Sequence, residues 1–190
     1  TRNSSMRRVY DALKARGITA TRLYEYRADL GQTDATKSPL TPPGTYLEVL
    51  SASEVTSRRL DIDFSIPVDL RDGEWLVIAC DDDRPVSRTL VTDAPRPYEG
   101  ALEREVPVQG AYLRKVFVVP ERRGQSLASA TLRRALALAR DELDVTTGTA
   151  LIAADNKPSQ WLFEQRGFER VAVHEYARMG PLSRYRQRTG

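Results

Sequence analysis

"VVPERRGQSLASATL", Val118–Leu132, carries a β-branched strand into a helix through one proline, two arginines and one glycine. Proline lacks the N–H that a ladder needs, so the strand "AYLRKVFVV" (111–119) is expected to stop at Pro120. From 126 to 142, Ala128, Leu132, Ala135, Leu136 and Ala139 fall on one stripe at helical spacing. Ser126 stands where an N-cap is expected, and Gly124 lets the backbone take positive φ or approach a ligand closely. The first amides of a helix have no partner inside it and point, with the helix dipole behind them, at one spot. Arg122 and Arg123 add positive charge there. The corner therefore suits a phosphate or pyrophosphate. It is not a Walker loop, since no Gly-Lys-Ser/Thr closes it, and the glycine triplet of a dinucleotide fingerprint is absent.

Downstream, "TALIAA" (149–154) reads as a strand, "NKPSQWLFEQR" (156–166) as a short helix ended by Gly167, and "FERVAVHEYARM" (168–179) as a closing strand. Upstream, "EWLVIAC" and "VSRTLV" flank "DDDRP" as an antiparallel hairpin. "TYLEVL" (45–50) is a short strand, and the run 51–64 is partly helical before Pro67. Segment 92–110 holds three prolines and reads as loop. The expected class is α+β, with a mixed, mostly antiparallel sheet flanked by helices. Near the start, Met6, Val9, Tyr10 and Leu13 share a helical face, and "TRLYEYRADL" (21–30) is expected to be a second helix. "GQTDATKSPLTPPG" (31–44) reads as a linker, and the last eleven residues as a frayed basic end. That gives a helical arm over 1–44, a domain over 45–180 and a polar tail over 181–190.

The 190 residues carry 29 bases, 25 of them arginine, against 26 acids. So even a balance, with no interleaving of aromatic and basic residues, argues against a nucleic-acid partner. One cysteine, Cys80, and one histidine, His174, exclude an intrachain disulfide and leave no metal site to expect. No apolar run reaches the length of a membrane span, so the expected location is cytoplasmic, away from membranes.

The pair "VVPERRGQSLASATL" and "NKPSQWLFEQRGF" resembles the two hallmark motifs of the GCN5-related N-acetyltransferase superfamily. The first has the form Arg/Gln-x-x-Gly-x-Gly/Ala and falls on Arg123, Ser126 and Ala128. The second falls on Asn156, Ser159, Phe163, Gly167 and Phe168. The resemblance covers about 45–180. It implies two parallel strands, 112–119 and 149–154, splayed around acetyl-coenzyme A (acetyl-CoA). Backbone groups of Val118 and Val119 would then pair with the pantetheine arm. Amides from Arg123 through Gly124, Gln125, Ser126 and Leu127 to Ala128 would hold the pyrophosphate. Asn156 and Ser159 would meet the arm, and Phe163 would lie near the thioester sulfur.

The implied reaction is direct attack by a primary amine, within a ternary complex, on the thioester. The amine must be neutral, and the developing oxyanion needs a donor, for which Val119 or Val118 is placed. The sequence departs from the family where proton transfer is concerned. Phenylalanine at 163 replaces the usual tyrosine acid, leaving Tyr176 or water. Arg114 and Lys115 stand where a carboxylate base is frequent, leaving Glu105, Tyr112, His174 and Glu175. The acceptor is expected to be a small-molecule amine or a protein amino group. A coenzyme-binding regulatory module without efficient catalysis is the alternative, and a homodimer is expected.

Overall fold

Three consecutive aspartates, Asp81–Asp83, separate the two apolar runs of the hairpin. In the computed structural model, Asp82 and Asp83 take φ of 47° and 62°. Those values suit a two-residue hairpin turn, because aspartate tolerates the left-handed region. The turn joins β3 (Glu74–Asp81) to β4 (Arg84–Thr92). The structure describes residues 18–32, 41–58 and 70–189.

One eight-stranded sheet is built outward from this hairpin. β2 (Thr45–Ser51) pairs antiparallel with β3, and β7 (Ala111–Val118) antiparallel with β4. β8 (Thr147–Ala153) lies parallel to β7, because the crossover through α2 (Leu127–Asp141) returns the chain in the same direction. β1 (Ile18–Asp29) follows β8, then β9 (Glu169–Met179), with β10 (Leu182–Thr189) at the edge. α1 (Ala52–Arg58) follows β2, and α3 (Lys157–Glu164) connects β8 to β9. Within 92–110, β5 (Tyr98–Glu99) and β6 (Arg104–Glu105) form a two-stranded ribbon.

The helical stripe of α2 seats Leu132, Ala135, Leu136 and Ala139 against Val77, Val91, Leu113 and Ala150, and Phe163 of α3 joins the same core. The other face has its own clusters. Leu50, Leu76, Ile78 and Leu90 form one, and Leu23, Leu102, Val106 and Tyr176 form the second, where the 98–106 segment packs.

Two expectations are corrected. Residues 21–29 are strand, not helix: β1 is hydrogen-bonded along both edges, to β8 and β9. Its Glu25, which would sit on the wet side of a helix, is 1% exposed. Residues 182–189 are not frayed but pair in full with β9, and the arginines at 184, 186 and 188 alternate with Tyr185 and Gln187 at the two-residue period of a strand. The expected 6–16 helix and most of the expected linker lie outside the described residues.

Candidate functional site

β7 and β8 are paired only at Ala111↔Gly148 and Tyr112↔Thr149. Beyond these two rungs they part. The change of direction has a local cause in β7, whose register against β4 shifts between Arg88 and Leu90, with Lys115 at φ 52°. This is a β-bulge, which inserts a residue and bends its strand. Past the bulge, the Val119 amide donates to Val86 O (3.0 Å), and Phe117 O accepts from Ser87 Oγ (3.0 Å). Those groups face β4. Strand alternation then turns the backbone of Val116 and Val118 toward the gap. Of the two expected oxyanion donors, Val118 therefore faces the gap and Val119 does not, its N–H being held by β4. Val116 was not readable as a candidate, because only the unmarked "RK" at 114–115 signals the bulge.

The corner after β7 is a single 3-10 turn, Pro120–Arg122, followed by positive φ at Gly124 (77°) and at Ser126 (60°). Ser126 accepts the first helical bond through its carbonyl, from the Ala130 amide (3.0 Å), but its side chain makes no cap hydrogen bond. Ser126 thus holds the expected N-cap position without the side-chain bond of a capping serine, because it sits in the left-handed conformation that glycine adopts most cheaply. Arg122 is tied to Asp81 and donates from Nε to Gln125 Oε1 (2.8 Å). Arg123 instead lies over the mouth of a cleft of about 680 Å³, its Nε donating to Val118 O (3.3 Å).

One wall of that cleft is Val118, Arg123, Gly124, Ser126, Leu127 and Ala128; the other is Asn156, Ser159, Trp161 and Arg166. Asn156 caps α3, its Oδ1 accepting from the Ser159 amide (3.3 Å). Arg166, which sequence reading overlooked, donates to Ser129 Oγ and so ties the end of α3 to the first turn of α2. The cleft shares Val116, Asn156 and Ser159 with a narrower cavity of about 140 Å³ in the gap itself, bounded by residues 113–116 of β7, 150–153 of β8, and Phe163. Phe163 is 2% exposed and meets Phe168 edge-on, with centroids 5.0 Å apart. The cleft at the helix N-terminus is thus continuous, through Val116, Asn156 and Ser159, with the cavity between the two strands.

Four expected catalytic side chains, Glu105, His174, Tyr176 and Glu175, lie elsewhere. Glu105 is on the exposed ribbon, opposite Arg96 at 3.7 Å. His174 is wholly buried in β9, with both ring nitrogens engaged: Nε2 at 2.9 Å from Glu25 Oε2 and Nδ1 at 2.8 Å from Tyr185 Oη. Burial pushes the Glu25 carboxyl up, but hydrogen bonds from His174 and Arg27 outweigh it and hold that group below the ordinary carboxylate range. Tyr176 donates to Glu103 (2.8 Å), and its phenol is raised by burial and by that carboxylate. β1 stands between β9 and β8, so neither His174 nor Tyr176 reaches the gap. Glu175 is paired with Arg22 and Arg188. Tyr112 is on β7 but wholly buried, donating to Glu99 (2.6 Å), with burial pushing its phenol well up.

A family model, that of the acetyltransferase (GNAT) family, matches residues 45–168. The chain belongs to the GNAT acetyltransferase family. No curated protein matches it. Among solved structures, a Drosophila protein aligns over 94% of this chain and 58% of its own, with 16% identity and a TM-score of 0.60. A GCN5-related N-acetyltransferase from Kribbella flavida covers 94% and 74%, with 14% identity and a TM-score of 0.59. The tandem GNAT protein of the clavulanic acid biosynthesis pathway covers 100% and 59%, with 16% identity and a TM-score of 0.57. The chain thus spans under two thirds of two of these GNAT-fold relatives. At such identities the likeness is one of fold: a mixed, mostly antiparallel sheet with one parallel pair. The sheet extends beyond the matched segment through β1, which precedes it in sequence, and β9 and β10, which follow it, all three lying beyond β8. Among the described residues, no helix of this GNAT chain is long and apolar enough to cross a membrane.

Proposed function

We propose that this chain transfers an acetyl group from acetyl-CoA to a primary amine by direct attack within a ternary complex. The observation that carries the reading is the parting of β7 and β8 after two rungs, continuous with a cleft that ends at the N-terminus of α2. The residues present suit the coenzyme. The first amides of α2 have no intrahelical partner, Arg123 is the cation beside them, and the β7 edge past Tyr112 offers backbone groups to an extended amide arm.

In this reading, the amides of Gly124–Ala128 hold the pyrophosphate, the expected Arg123 amide being taken by Pro120 O (3.4 Å), with Gly124 and Ser126 setting the backbone and Gln125 anchoring Arg122. Val116 and Val118 align the arm, Asn156 and Ser159 flank it, and Phe163 supplies an apolar wall. Bound acetyl-CoA supplies the acyl thioester. The Val118 amide, turned into the gap, is the donor for the carbonyl oxygen. Phe163 has no proton to give, which leaves water to handle proton transfer, or the Tyr112–Glu99 pair. The acceptor is a small-molecule amine or a protein amino group, met in the cytoplasm by a single chain or a homodimer.

Phe163 also favours a second reading, a coenzyme-binding regulatory module with inefficient turnover. Thiol release from acetyl-CoA, followed across a panel of primary amines, separates the two. Saturable, amine-dependent release supports the transferase. Tight coenzyme binding with no release supports the module.

A further inference from the structure

The coenzyme, on the reading above, fills the helical side of the gap, so the acceptor has to reach the thioester from the opposite face of the sheet. What that face presents at the gap is cationic. Arg114 shares a cross-strand row with Leu90 on this face and reaches Glu74, a buried carboxylate, through one terminal nitrogen. Its Nε is buried without a hydrogen-bond partner. A buried guanidinium N–H without a partner is costly, so the charge of Arg114 is only partly satisfied by Glu74, while the side chain as a whole stays 17% exposed. Next along the strand, the bulge turns Lys115 outward, exposed on the rim of the same gap. Partial desolvation of its stem against the sheet, and then the neighbouring Arg114 and Arg88, depress its ammonium against the opposite pull of Glu74 and Glu99.

We infer that Arg114 and Lys115 receive a carboxylate of the acceptor, so that the acetylated substrate is a small amine that also carries an acid group, as an amino acid does, and not a polyamine. Arg114, whose side chain stays partly exposed beside the Glu74 contact, meets the carboxylate with its open guanidinium edge, and Lys115 closes over the outer oxygen, a charge-assisted arrangement. The amine is thereby held at a fixed reach from the gap. A polycation would meet two like charges at the entrance.

This inference rests on the acetyltransferase reading, and the experiment separates their failures. Thiol release is measured for matched acceptors: amino acids, their carboxamides, and the corresponding diamines. The expected result is a kcat/KM at least ten-fold higher for the free acid than for the carboxamide, with diamines lower still. Lys115→Met should raise KM for the acid and collapse the acid-to-amide ratio toward one, while Lys115→Arg should preserve it. Lys115 is exposed, so neither variant threatens folding; Arg114→Lys is the second, more buried probe and should also reduce the ratio. Release that ignores the carboxylate, prefers diamines, occurs only on protein amino groups, or keeps its ratio in Lys115→Met would overturn the inference alone. Coenzyme binding without release from any acceptor would overturn the transferase reading and this inference with it.

Discussion

Arg123 Nε donates to the carbonyl of Val118 across the mouth of the cleft, at 3.3 Å. That carbonyl belongs to the strand edge on which the coenzyme arm is proposed to lie, and the guanidinium belongs to the proposed pyrophosphate cradle. One side chain thus spans the two halves of the coenzyme site. Replacing it removes a charge-assisted contact, of order 1.5–3 kcal/mol. Arg123→Ala should weaken coenzyme binding by roughly ten- to a hundred-fold, and Arg123→Glu by more. Calorimetric titration with coenzyme A reads this directly, and unchanged affinity in Arg123→Glu would remove the residue from the site.

Ser126 at φ 60° makes an opposite prediction for stability. A non-glycine residue in the left-handed region costs about 1–2 kcal/mol, against which glycine loses somewhat more backbone entropy on folding. Ser126→Gly should therefore be neutral or stabilising by up to about 1 kcal/mol, and should keep coenzyme affinity within a few-fold. Ser126→Val, β-branched, should lose both stability and affinity. Urea unfolding and coenzyme titration on the two variants decide it. A large affinity loss in Ser126→Gly would show that the serine hydroxyl is itself a ligand.

Glu25 gives a pH dependence. The Glu25 carboxyl is held below its ordinary 4.5, so it binds its proton less readily folded than unfolded. Its stabilisation is present above the ordinary value and disappears as pH falls through the folded value. Glu25→Gln should cost about 1.5–3 kcal/mol at neutral pH, the worth of hydrogen bonds to a charged group, and the gap to the parent should close on acidification. Urea unfolding of both proteins at pH 7 and near pH 3 tests the sign; a gap that widens in acid would contradict it.

β1 can be tested where sequence patterning failed. Leu23 is 4% exposed and packs with Leu102, Val106 and Tyr176. Leu23→Ala should cost about 2–5 kcal/mol, as for a core leucine. A cost of a few tenths, as for a detachable arm, would contradict the inner-strand placement of residues 18–29.

These contrasts show which parts were legible in the sequence. The hairpin, the 111–118 strand, the α2 stripe and the two motifs of the cleft were readable because each is encoded within some fifteen residues, by period, turn chemistry or spacing. β1 was not: "TRLYEYRADL" places Leu23, Tyr26 and Leu30 at helical spacing, and the buried role of Glu25 depends on His174, 149 residues away. β10 has no apolar alternation because it is an edge strand with its arginines exposed. The bulge at Lys115, which fixes which amides face the gap, depends on the β4 register and left no mark of its own. Glu105, His174 and Tyr176 were plausible by chemistry alone, and only topology shows that the first lies on the ribbon and the others beyond β1.

The most direct test of the central claim is an amide-resolved NMR titration of the 190-residue chain with acetyl-CoA. The account predicts saturable shifts at Val116, Val118, Gly124–Ala128 and Asn156, with β10 and the Glu25–His174 region unmoved. Shifts confined to β9 and β10, or none at millimolar coenzyme, would contradict it.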